Sequence, residues 1–240
     1  MTEKIIPPLT GVPETLLITL HARAEESKRP DALLHDEKAV ALADQMNYDF
    51  SRLKLQGHDI VAIIMRLREF DRIARDFMMR HPDAVVVHIG CGLDTRFERV
   101  EDGRVEWYDL DLPEVAKLRR KLIPNEGGRY HLLSGSVLDY KWLDELRAQR
   151  PRPFLFMAEG VFPYFEEEQV KVLFLTIQKN FPGAEIACDA QTPFIIWANN
   201  LQLAVARVKA PLHWGLKQGK DVETWGNGIR LLDEYFFFDT

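Results

Sequence analysis

The chain has 240 residues, of which 46% are hydrophobic and 28% are charged, which is the balance of one globular domain with a large core. Its formal net charge of −6 argues against a nucleic-acid partner, because phosphate binding depends on clustered Lys and Arg. No apolar run reaches the ~18–20 residues of a membrane span and the opening MTEKIIPPLTG is not a signal peptide, so we expect a cytoplasmic protein without a membrane partner.

The first 82 residues are predicted to form a helical annex. One helix covers ETLLITLHARAEES, and a second covers HDEKAVALADQM. The third runs from about Asp59 to Arg80 and has the clearest amphipathic pattern, since its apolar residues recur on one face. That face consists of Ile63, Leu67, Phe70, Ala74 and Phe77. His81-Pro82 ends the helix.

Residues 83–190 change to a pattern of strands that alternate with helices. The predicted strands are AVVVHIG, VEWYDLDL, YHLLSGS, FLFMAEG and AEIACDAQ. The first of them is short, β-branched and bounded by glycine, as is typical of a buried strand. Helices are predicted at PEVAKLRRKL, DYKWLDELRAQ and EEEQVKVLFLTIQKNF. This alternation predicts an α/β fold with a doubly wound, mostly parallel sheet, the Rossmann-like arrangement.

The C-terminal part has a different character. Residues 191–228 are predicted to form a lid over the substrate, with a helix over 192–208 and a loop-rich stretch that contains Trp214 and Trp225. Residues 229–240 contain IRLLDEYFFFD, which is predicted to be a sixth strand.

Ligands of open parallel sheets bind beyond the carboxyl ends of the strands. The first predicted strand runs into GCGLDT, in which Gly90 and Gly92 let the backbone approach a ligand closely. The second ends at Asp111, 19 residues after Gly92, the interval of an acid that accepts hydrogen bonds from ribose hydroxyls. Thr95 stands where a dinucleotide motif has its third glycine, which favours a nucleoside without phosphates, such as S-adenosylmethionine. A tight strand-to-helix turn without a ligand is the alternative.

Four segments extend this pattern, since HIGCGLDTRFERV, WYDLDLPEV, SGSVLDYKW and FMAEGVFPYF occur in this order. Together they resemble the leucine carboxyl methyltransferase-like family, and most closely its tetracenomycin-type polyketide O-methyltransferases. The likeness extends to VPETLLITLHARAEESKRPDALLHDEKA and to HWGL, so it covers nearly the whole chain. It implies a class I methyltransferase fold, with S-adenosyl-L-methionine as the cofactor and S-adenosyl-L-homocysteine as the product.

The resemblance also implies which residues bind the methionine part and the ribose of the cofactor. In the family the glycine loop wraps the methionine part, and that loop is here Gly90, Cys91 and Gly92. The acid before Leu-Pro holds the ribose, which assigns that contact to Asp111 with Leu112.

The adenine contact is assigned in the same way. In the family a polar pair after the third strand meets the adenine, and this pair is here Ser136 with Val137. Many relatives have Asp-Leu at these positions, so the contact falls to Ser136, to the backbone or to Asp139. The glutamate of AEG, Glu159, lies by the cofactor in the family. Its alternative role is to cap the next helix or to pair with a nearby arginine.

Arg66 is a further candidate on two grounds. At ~100° per residue it projects on the margin of the apolar face of its helix, and an arginine near a buried surface needs an anionic partner. The resemblance implies a partner, because the family places an arginine here against the cofactor's carboxylate. A structural salt bridge, to Glu69 or to another helix, or simple snorkelling of the side chain to the surface is the alternative. Arg23 is a weaker candidate for the same task.

Two cysteines and seven histidines bound the possible metal and redox chemistry. Cys91 and Cys188 lie in apolar, strand-like surroundings, so neither a disulfide nor a zinc cluster is expected. Cys91 is interpreted as a small space-filling residue within the glycine loop. The histidines show no metal-ligand spacing, so we expect no metal.

The predicted function is S-adenosylmethionine-dependent O-methylation of a small-molecule acceptor, with a polyketide or an aromatic carboxylate or hydroxyl as the candidate. Two alternatives stay open: methylation of a protein C-terminal carboxylate, and a non-catalytic nucleoside-binding domain. No catalytic residue is assigned, since a carboxylate acceptor needs no base and no His-Asp pair is evident.

Methyltransferases of this class usually close the sheet with an antiparallel hairpin. Only its first strand is visible here, so either the sequence is truncated or the sheet is one strand short.

Overall fold

Three α-helices precede the first strand of the computed structural model, which describes residues 4–7, 9–124, 127–205, 210–226 and 228–236. They are α1 (Leu16–Ser27), α2 (Glu37–Gln45) and α3 (Gly57–Arg80), with 3-10 turns at Val12–Thr15 and Phe50–Leu53. α2 begins where the Asp36 carboxylate accepts the Ala39 N–H at 2.9 Å. The three helices predicted from apolar periodicity are confirmed.

The next part of the chain alternates strands and helices, as predicted. Its elements are β1 (Val85–Ile89), α4 (Arg96–Val100), β2 (Glu106–Asp111), α5 (Pro113–Leu122), β3 (Tyr130–Ser134), α6 (Trp142–Arg147), β4 (Phe154–Ala158), α7 (Glu167–Asn180) and β5 (Glu185–Cys188). The strands pair in parallel in the order β3-β2-β1-β4-β5. The order reverses between β1 and β4, and at such a point a parallel sheet opens a crevice for ligands.

The sheet has a helical layer on each face. Along β1, Val85, Val87 and Ile89 face the core shared with α6 and α7, whereas Val86 faces the core shared with α3. Because α3 packs directly on the sheet, it belongs to the same layered structure as the strands. α1 and α2 lie further out and pack on α5 through a cluster that includes Leu93 from the loop after β1. The N-terminal helices therefore adjoin the carboxyl ends of the strands.

The C-terminal segment departs from its prediction. α8 covers Pro193–Val205, and residues 206–208 of the predicted helix lie outside the described residues. A 3-10 helix follows at Gly219–Trp225. The predicted sixth strand is wrong for residues 229–236, which have no strand assignment, and residues 237–240 lie outside the described part of the chain.

The reason lies in the hydrogen bonds of this segment. The Leu231 N–H donates to the Glu223 carboxylate at 2.9 Å, and the Gly219 N–H donates to the Glu234 carboxylate at 2.9 Å. These bonds hold residues 229–236 against the 3-10 helix instead of against a neighbouring strand. Although β5 is the edge strand of the sheet, the described residues 229–236 make these bonds and do not pair with it. Among the described helices, none has both the length and the apolar composition that crossing a membrane requires.

Candidate cofactor-binding and active site

The loop after β1 is shaped by its two glycines. Gly90 and Gly92 have φ angles of 67° and 53°, in the left-handed region that glycine enters most readily. A Cβ on Gly90 would collide with the Cγ2 atom of Val161, from the segment that follows β4. A Cβ on Gly92 would lie 3.2 Å from the Cβ of Leu16 in α1. Glycine at position 90 thus lets two neighbouring strand ends approach each other.

Asp111 and the glycine loop are in direct contact. The Gly92 N–H donates to Oδ2 of Asp111 at 2.7 Å, and the Leu112 N–H donates to Oδ1 at 2.7 Å. Burial raises the pKa of Asp111, although both N–H groups oppose that shift. Each carboxylate oxygen still has a lone pair, and Gly92, Asp111 and Leu112 all line one cavity. The structure thus brings together the loop and the acid that the sequence singled out.

The segment after β3 borders the same cavity. Ser136 begins a 3-10 turn over Val137–Asp139, and its Oγ accepts the Leu138 N–H at 3.2 Å. Both Ser136 and Val137 line the cavity. The side chain of Asp139 is 51% exposed and lies 3.4 Å from Nζ of Lys141, so it is oriented toward solvent. Ser136 and Val137 thus lie at the cavity, whereas Asp139 is not among the described residues that line it.

Arg66 reaches across the cleft to the ends of two strands. Its Nε donates to Oε1 of Glu159 at 2.9 Å, and its Nη1 donates to Oδ2 of Asp189 at 3.2 Å. Burial lowers the pKa of Arg66, but the charges of Asp189 and Glu159 outweigh this effect, so the pKa lies above its usual value. Its Nη2 atom makes no hydrogen bond to any residue that the structure describes. The guanidinium therefore lines the cavity while two of its nitrogens are engaged by protein carboxylates.

The salt-bridge interpretation of Arg66 is therefore correct in part. Its partners are not Glu69, which pairs with Arg72 at 2.5 Å, or another helix, but the residues that follow β4 and β5. Such a position is compatible with both roles, since Nη2 has no hydrogen-bond partner in the part of the chain that the structure describes.

Asp189 is a site residue that sequence reasoning missed. It follows β5 directly, accepts the Gly160 N–H at 2.7 Å through Oδ1, and lines the same cavity. Burial raises the pKa of Asp189, although Arg66 lowers it. The rule that singled out Asp111 and Glu159, a polar side chain at the carboxyl end of a parallel strand, applies equally to Asp189 and was a sufficient signal.

A set of buried ion pairs, called here the ionic layer, lies behind the cavity and reaches its wall at Asp94. Its members are Arg23, Asp36, Asp71, Asp94, Arg96 and Arg99. Arg96 donates through Nη2 to Oε2 of Glu159 at 2.6 Å and through Nε to Asp71 at 2.8 Å. Each oxygen of Glu159 therefore has its own arginine, one in α3 and one in α4. Glu159 pairs with arginines, as its alternative role required, and it also lines the cavity.

Asp94 and Arg23 belong to the ionic layer. Asp94 pairs with Arg99 at 2.8 Å and with Arg96 at 3.3 Å. Although burial favours the protonated form, the arginines Arg96, Arg99 and Arg23 hold the pKa of Asp94 well below its usual value. Arg23 is fully buried and pairs with Asp36 at 2.5 Å. Arg23 is not among the described residues that line the cavity, so it is not placed for the direct cofactor contact considered for it.

The cavity itself has a volume of about 1850 Å³. This exceeds the ~300–1,000 Å³ of an ordinary small-molecule site. Beyond the residues described above, its wall is mostly apolar, with side chains from the N-terminal helices, from the turn after β4 and from the C-terminal segment. These include Leu16, Ile63, Phe165, Ile195, Leu212 and Leu216, and polar residues such as Gln191 and Asn199 lie among them. The cavity can therefore hold a nucleoside ligand and a second molecule beside it.

A model of the leucine carboxyl methyltransferase family matches residues 16–178 of this chain, from α1 into α7. The chain belongs to the leucine carboxyl methyltransferase family. It is similar to the tetracenomycin polyketide synthesis O-methyltransferase TcmP of Streptomyces glaucescens, at 35% identity over 97% of this chain and 85% of the relative. It is also similar to the S-adenosyl-L-methionine-dependent methyltransferase dpfgK of Gibberella zeae, at 29% identity over 95% of this chain and 83% of the relative.

The fold of this leucine carboxyl methyltransferase family member has a counterpart among solved structures. A protein of Thermobifida fusca YX that has been assigned as a methyltransferase has a TM-score of 0.59 and 16% identity, over 88% of this chain and 81% of that one. At this identity the likeness establishes the fold alone. The predicted family and class I methyltransferase fold are confirmed, and the enzyme uses S-adenosylmethionine, with S-adenosylhomocysteine as its product.

Burial raises the thiol pKa of both cysteines of the enzyme. Cys91 is buried in the loop after β1, and both it and Cys188 are free thiols. Burial raises the pKa of Cys91 well above its usual value, which disfavours the nucleophilic thiolate. This agrees with a space-filling role for the Cys91 side chain. Within the described ranges, no three His, Cys, Asp or Glu side chains are grouped so that they could hold a metal ion.

Proposed function

We propose that this methyltransferase transfers the methyl group to an oxygen of a small-molecule acceptor, such as a polyketide or another aromatic carboxylate or hydroxyl. The observation that carries the proposal is the mostly apolar extension of the cavity beyond Asp111, Glu159 and Arg66. An extended, apolar site suits an aromatic acceptor, because stacking and burial of carbon surface supply the affinity. The name of the relative TcmP, a polyketide synthesis O-methyltransferase, supports the same class of acceptor.

In this proposal the loop of Gly90, Cys91 and Gly92 holds the methionine part of the cofactor. Asp111 with Leu112 holds the ribose. The cofactor supplies a methyl group that is activated by its bond to a positively charged sulfur. The geometry that supports the assignment is the contact between the Gly92 N–H and Asp111, both at the edge of the cavity.

The other contacts of the cofactor are proposed on the same basis. Ser136 with Val137 borders the adenine, through the start of the 3-10 turn after β3. Arg66 offers its Nη2 atom to the cofactor's carboxylate, and Glu159, which is 6% exposed, offers negative charge beside it. Since Glu159 is held by both Arg66 and Arg96, its carboxylate is oriented before a ligand binds.

The chain's contribution to the reaction is positioning and exclusion of water. Displacement at the methyl carbon requires the acceptor oxygen to be aligned with the breaking bond, and such alignment alone lowers the barrier considerably. A carboxylate acceptor is already ionised at neutral pH and needs no base, whereas a phenol gains from one. His213 lies 3.3 Å from Glu166, but neither is among the described residues that line the cavity. His88 does line the cavity, but it is buried within β1, with Nε2 3.2 Å from Nη1 of Arg96 and Nδ1 3.5 Å from Oδ1 of Asp109. We assign no catalytic base.

The lid formed by residues 191–228 stays part of the proposal. Ile195, Asn199, Leu212 and Leu216 of this segment line the cavity. The N–H groups of His213 and Trp214 both donate to the Pro163 carbonyl, at 2.7 and 3.2 Å, which joins the segment to the turn after β4. The lid would shield the acceptor from water at the point where the strands end.

The test is a methyl-transfer assay with radiolabelled S-adenosylmethionine. The acceptors are small aromatic carboxylic acids, phenols and a peptide with a free C-terminal carboxylate. Mild alkali releases methanol from a methyl ester and leaves a methyl ether intact, which separates carboxylate from hydroxyl acceptors. Transfer to a small acid or phenol supports the proposal. Transfer to the peptide alone establishes the protein carboxylate alternative. Cofactor binding without any transfer favours the non-catalytic alternative.

A further inference from the structure

The loop after β1 turns three consecutive carbonyl groups into the protein interior. The Gly92 and Asp94 carbonyls accept from Nη1 of Arg119, at 3.1 and 2.6 Å. The Leu93 carbonyl, between them, accepts from Nη2 of Arg23 at 2.9 Å. Arg23 comes from α1 and Arg119 from α5, so helices on two sides of the loop hold it.

Both arginines are themselves held in place. Arg119 also donates through Nε to the Tyr130 hydroxyl at 2.9 Å and pairs through Nη2 with Asp109 at 2.6 Å. Arg23 pairs through Nη1 with Asp36 at 2.5 Å. The side chain of Arg23 is 0% exposed and that of Arg119 is 2% exposed. A guanidinium offers five donors in a rigid plane, which is why each side chain can hold carbonyls and a carboxylate at once.

The amide groups of the same loop are engaged as well. The Gly92 N–H donates to Asp111, and the Asp94 N–H donates to the Cys91 carbonyl at 3.0 Å. Each peptide unit from Cys91-Gly92 to Asp94-Thr95 is therefore restrained by at least one hydrogen bond. The side chain of Thr95, the N-cap residue of α4, makes no capping hydrogen bond that would restrain the loop in place of these contacts. Because glycine has wide conformational freedom, a loop with left-handed Gly92 needs such restraints to keep one conformation.

The energetic argument points the same way. Burying a guanidinium is costly, and replacing a buried ion pair by apolar residues is often neutral or stabilising. Stability alone is thus a weak reason for two buried arginines at one loop. A better reason is that the loop must present one backbone conformation to a ligand, since restraint before binding lowers the entropy cost of binding.

We propose that Arg23 and Arg119 are positioning residues for methyl transfer: they hold residues 92–94 in the conformation that binds the cofactor. Neither is among the described residues that line the cavity, so they act through the loop. The N-terminal helix α1 thereby becomes part of the cofactor site. This inference rests on the proposed assignment of the glycine loop to the cofactor.

The experiment compares Arg23→Lys and Arg119→Lys with Arg99→Lys. Arg99 belongs to the same ionic layer as Arg23. The hydrogen bonds that it donates go to the side chains of Asp71, Asp94, Asp36 and Thr95, and none of those to described residues goes to a loop carbonyl. Binding of S-adenosylhomocysteine is measured by calorimetry, and hydrogen exchange of the amides of residues 91–95 by mass spectrometry. Melting temperature is recorded for each variant.

We expect Arg23→Lys and Arg119→Lys to weaken S-adenosylhomocysteine binding by about tenfold to a hundredfold and to speed exchange at residues 91–95. Arg99→Lys is expected to lower the melting temperature and to leave affinity within about twofold of the parent. Equal losses of melting temperature in all three variants, with unchanged affinity and unchanged loop exchange, would overturn the proposal. A parent protein that does not bind S-adenosylhomocysteine would instead overturn the cofactor assignment itself.

A milder variant covers the case in which the lysine variants do not fold. Tyr130→Phe removes the hydroxyl that accepts from Arg119 and donates to Asp109 at 2.7 Å, while both charges stay. We expect faster exchange at residues 91–95 and severalfold weaker S-adenosylhomocysteine binding. Parent-like exchange and affinity in this variant would overturn the role of Arg119.

Discussion

Arg66 in α3 donates to Glu159 at the end of β4, across 93 residues of sequence, at an Nε–Oε1 distance of 2.9 Å. This contact joins the N-terminal helices to the carboxyl edge of the sheet. It also places a cation and an anion side by side at the cavity wall. The amino-acid part of S-adenosylmethionine carries the same two charges, so the pair is suited to bind it.

Replacement of Arg66 by alanine is expected to weaken S-adenosylmethionine and S-adenosylhomocysteine alike. Both ligands carry the carboxylate, whereas only the first carries the sulfonium charge. Adenosine lacks the amino-acid part, so its affinity is expected to stay unchanged. Arg66→Lys is expected to recover part of the loss, because lysine offers a point charge without the planar guanidinium. Titration calorimetry of the three ligands measures this pattern.

A purely structural role for Arg66 predicts a different result. The Arg66→Ala protein would then melt at a lower temperature, because the Glu159 and Asp189 carboxylates lose a buried partner, while all three ligands would bind as they do to the parent. That combination would contradict the cofactor assignment of Arg66.

Gly90→Ala tests the close approach of two strand ends. The substitution adds a collision with Val161 to the strain of a left-handed φ, and we expect a loss of about 2–4 kcal/mol in unfolding free energy together with weaker cofactor binding. Gly128→Ala is the matched control, since Gly128 has a φ of 65° and nothing within 4 Å of its Cβ position. The control is expected to lose about 1–2 kcal/mol. Urea denaturation that gives equal losses for both variants would show that close approach is unimportant.

Asp94 and Asp189 are expected to change the pH dependence of stability in opposite directions. The pKa of Asp94 is held well below its usual value by Arg96, Arg99 and Arg23, despite burial, so its contribution is present above about pH 4 and is lost as the pH falls toward the folded-state value. The pKa of Asp189 is raised by burial, so the folded state holds its proton longer and stability falls as the pH rises above about 4. Each aspartate is replaced by asparagine, and the unfolding free energy is measured by urea denaturation at pH values below and above about 4.

The difference in unfolding free energy between the parent and each variant shows in which direction the pKa of that aspartate is shifted. The stability advantage of the parent over Asp94→Asn is expected to shrink on acidification, and its advantage over Asp189→Asn is expected to shrink as the pH rises. Parallel pH profiles for parent and variant would refute the corresponding shift.

The sequence predicts the framework of the fold because its signals are local. The run VVVHI of β1 is β-branched and buried on both faces, and the stripe on α3 repeats at helical spacing. The site at the carboxyl ends of the strands follows from the same framework, as the contact between Gly92 and Asp111 illustrates. Asp189 was missed although the same rule applies to it.

Other features depend on tertiary contacts that no local signal carries. Arg96 meets Asp71 and Glu159, at separations of 25 and 63 residues, and nothing in GLDTRF indicates these partners. The sixth strand was predicted from composition alone, and residues 229–236 bond instead to carboxylates such as that of Glu223. Local sequence patterns do not predict an element reliably when its structure depends on partners that are distant in sequence.

The central claim is that the cofactor binds where Asp111 meets the glycine loop. Titration calorimetry with S-adenosylhomocysteine tests it on the parent, on Asp111→Ala and on Asp139→Ala, whose carboxylate is exposed. The account predicts binding to the parent, a loss of about 1.5–3 kcal/mol in Asp111→Ala, the scale of a hydrogen bond to a charged group, and parent-like binding in Asp139→Ala. Binding to Asp111→Ala as tight as to the parent would contradict the account.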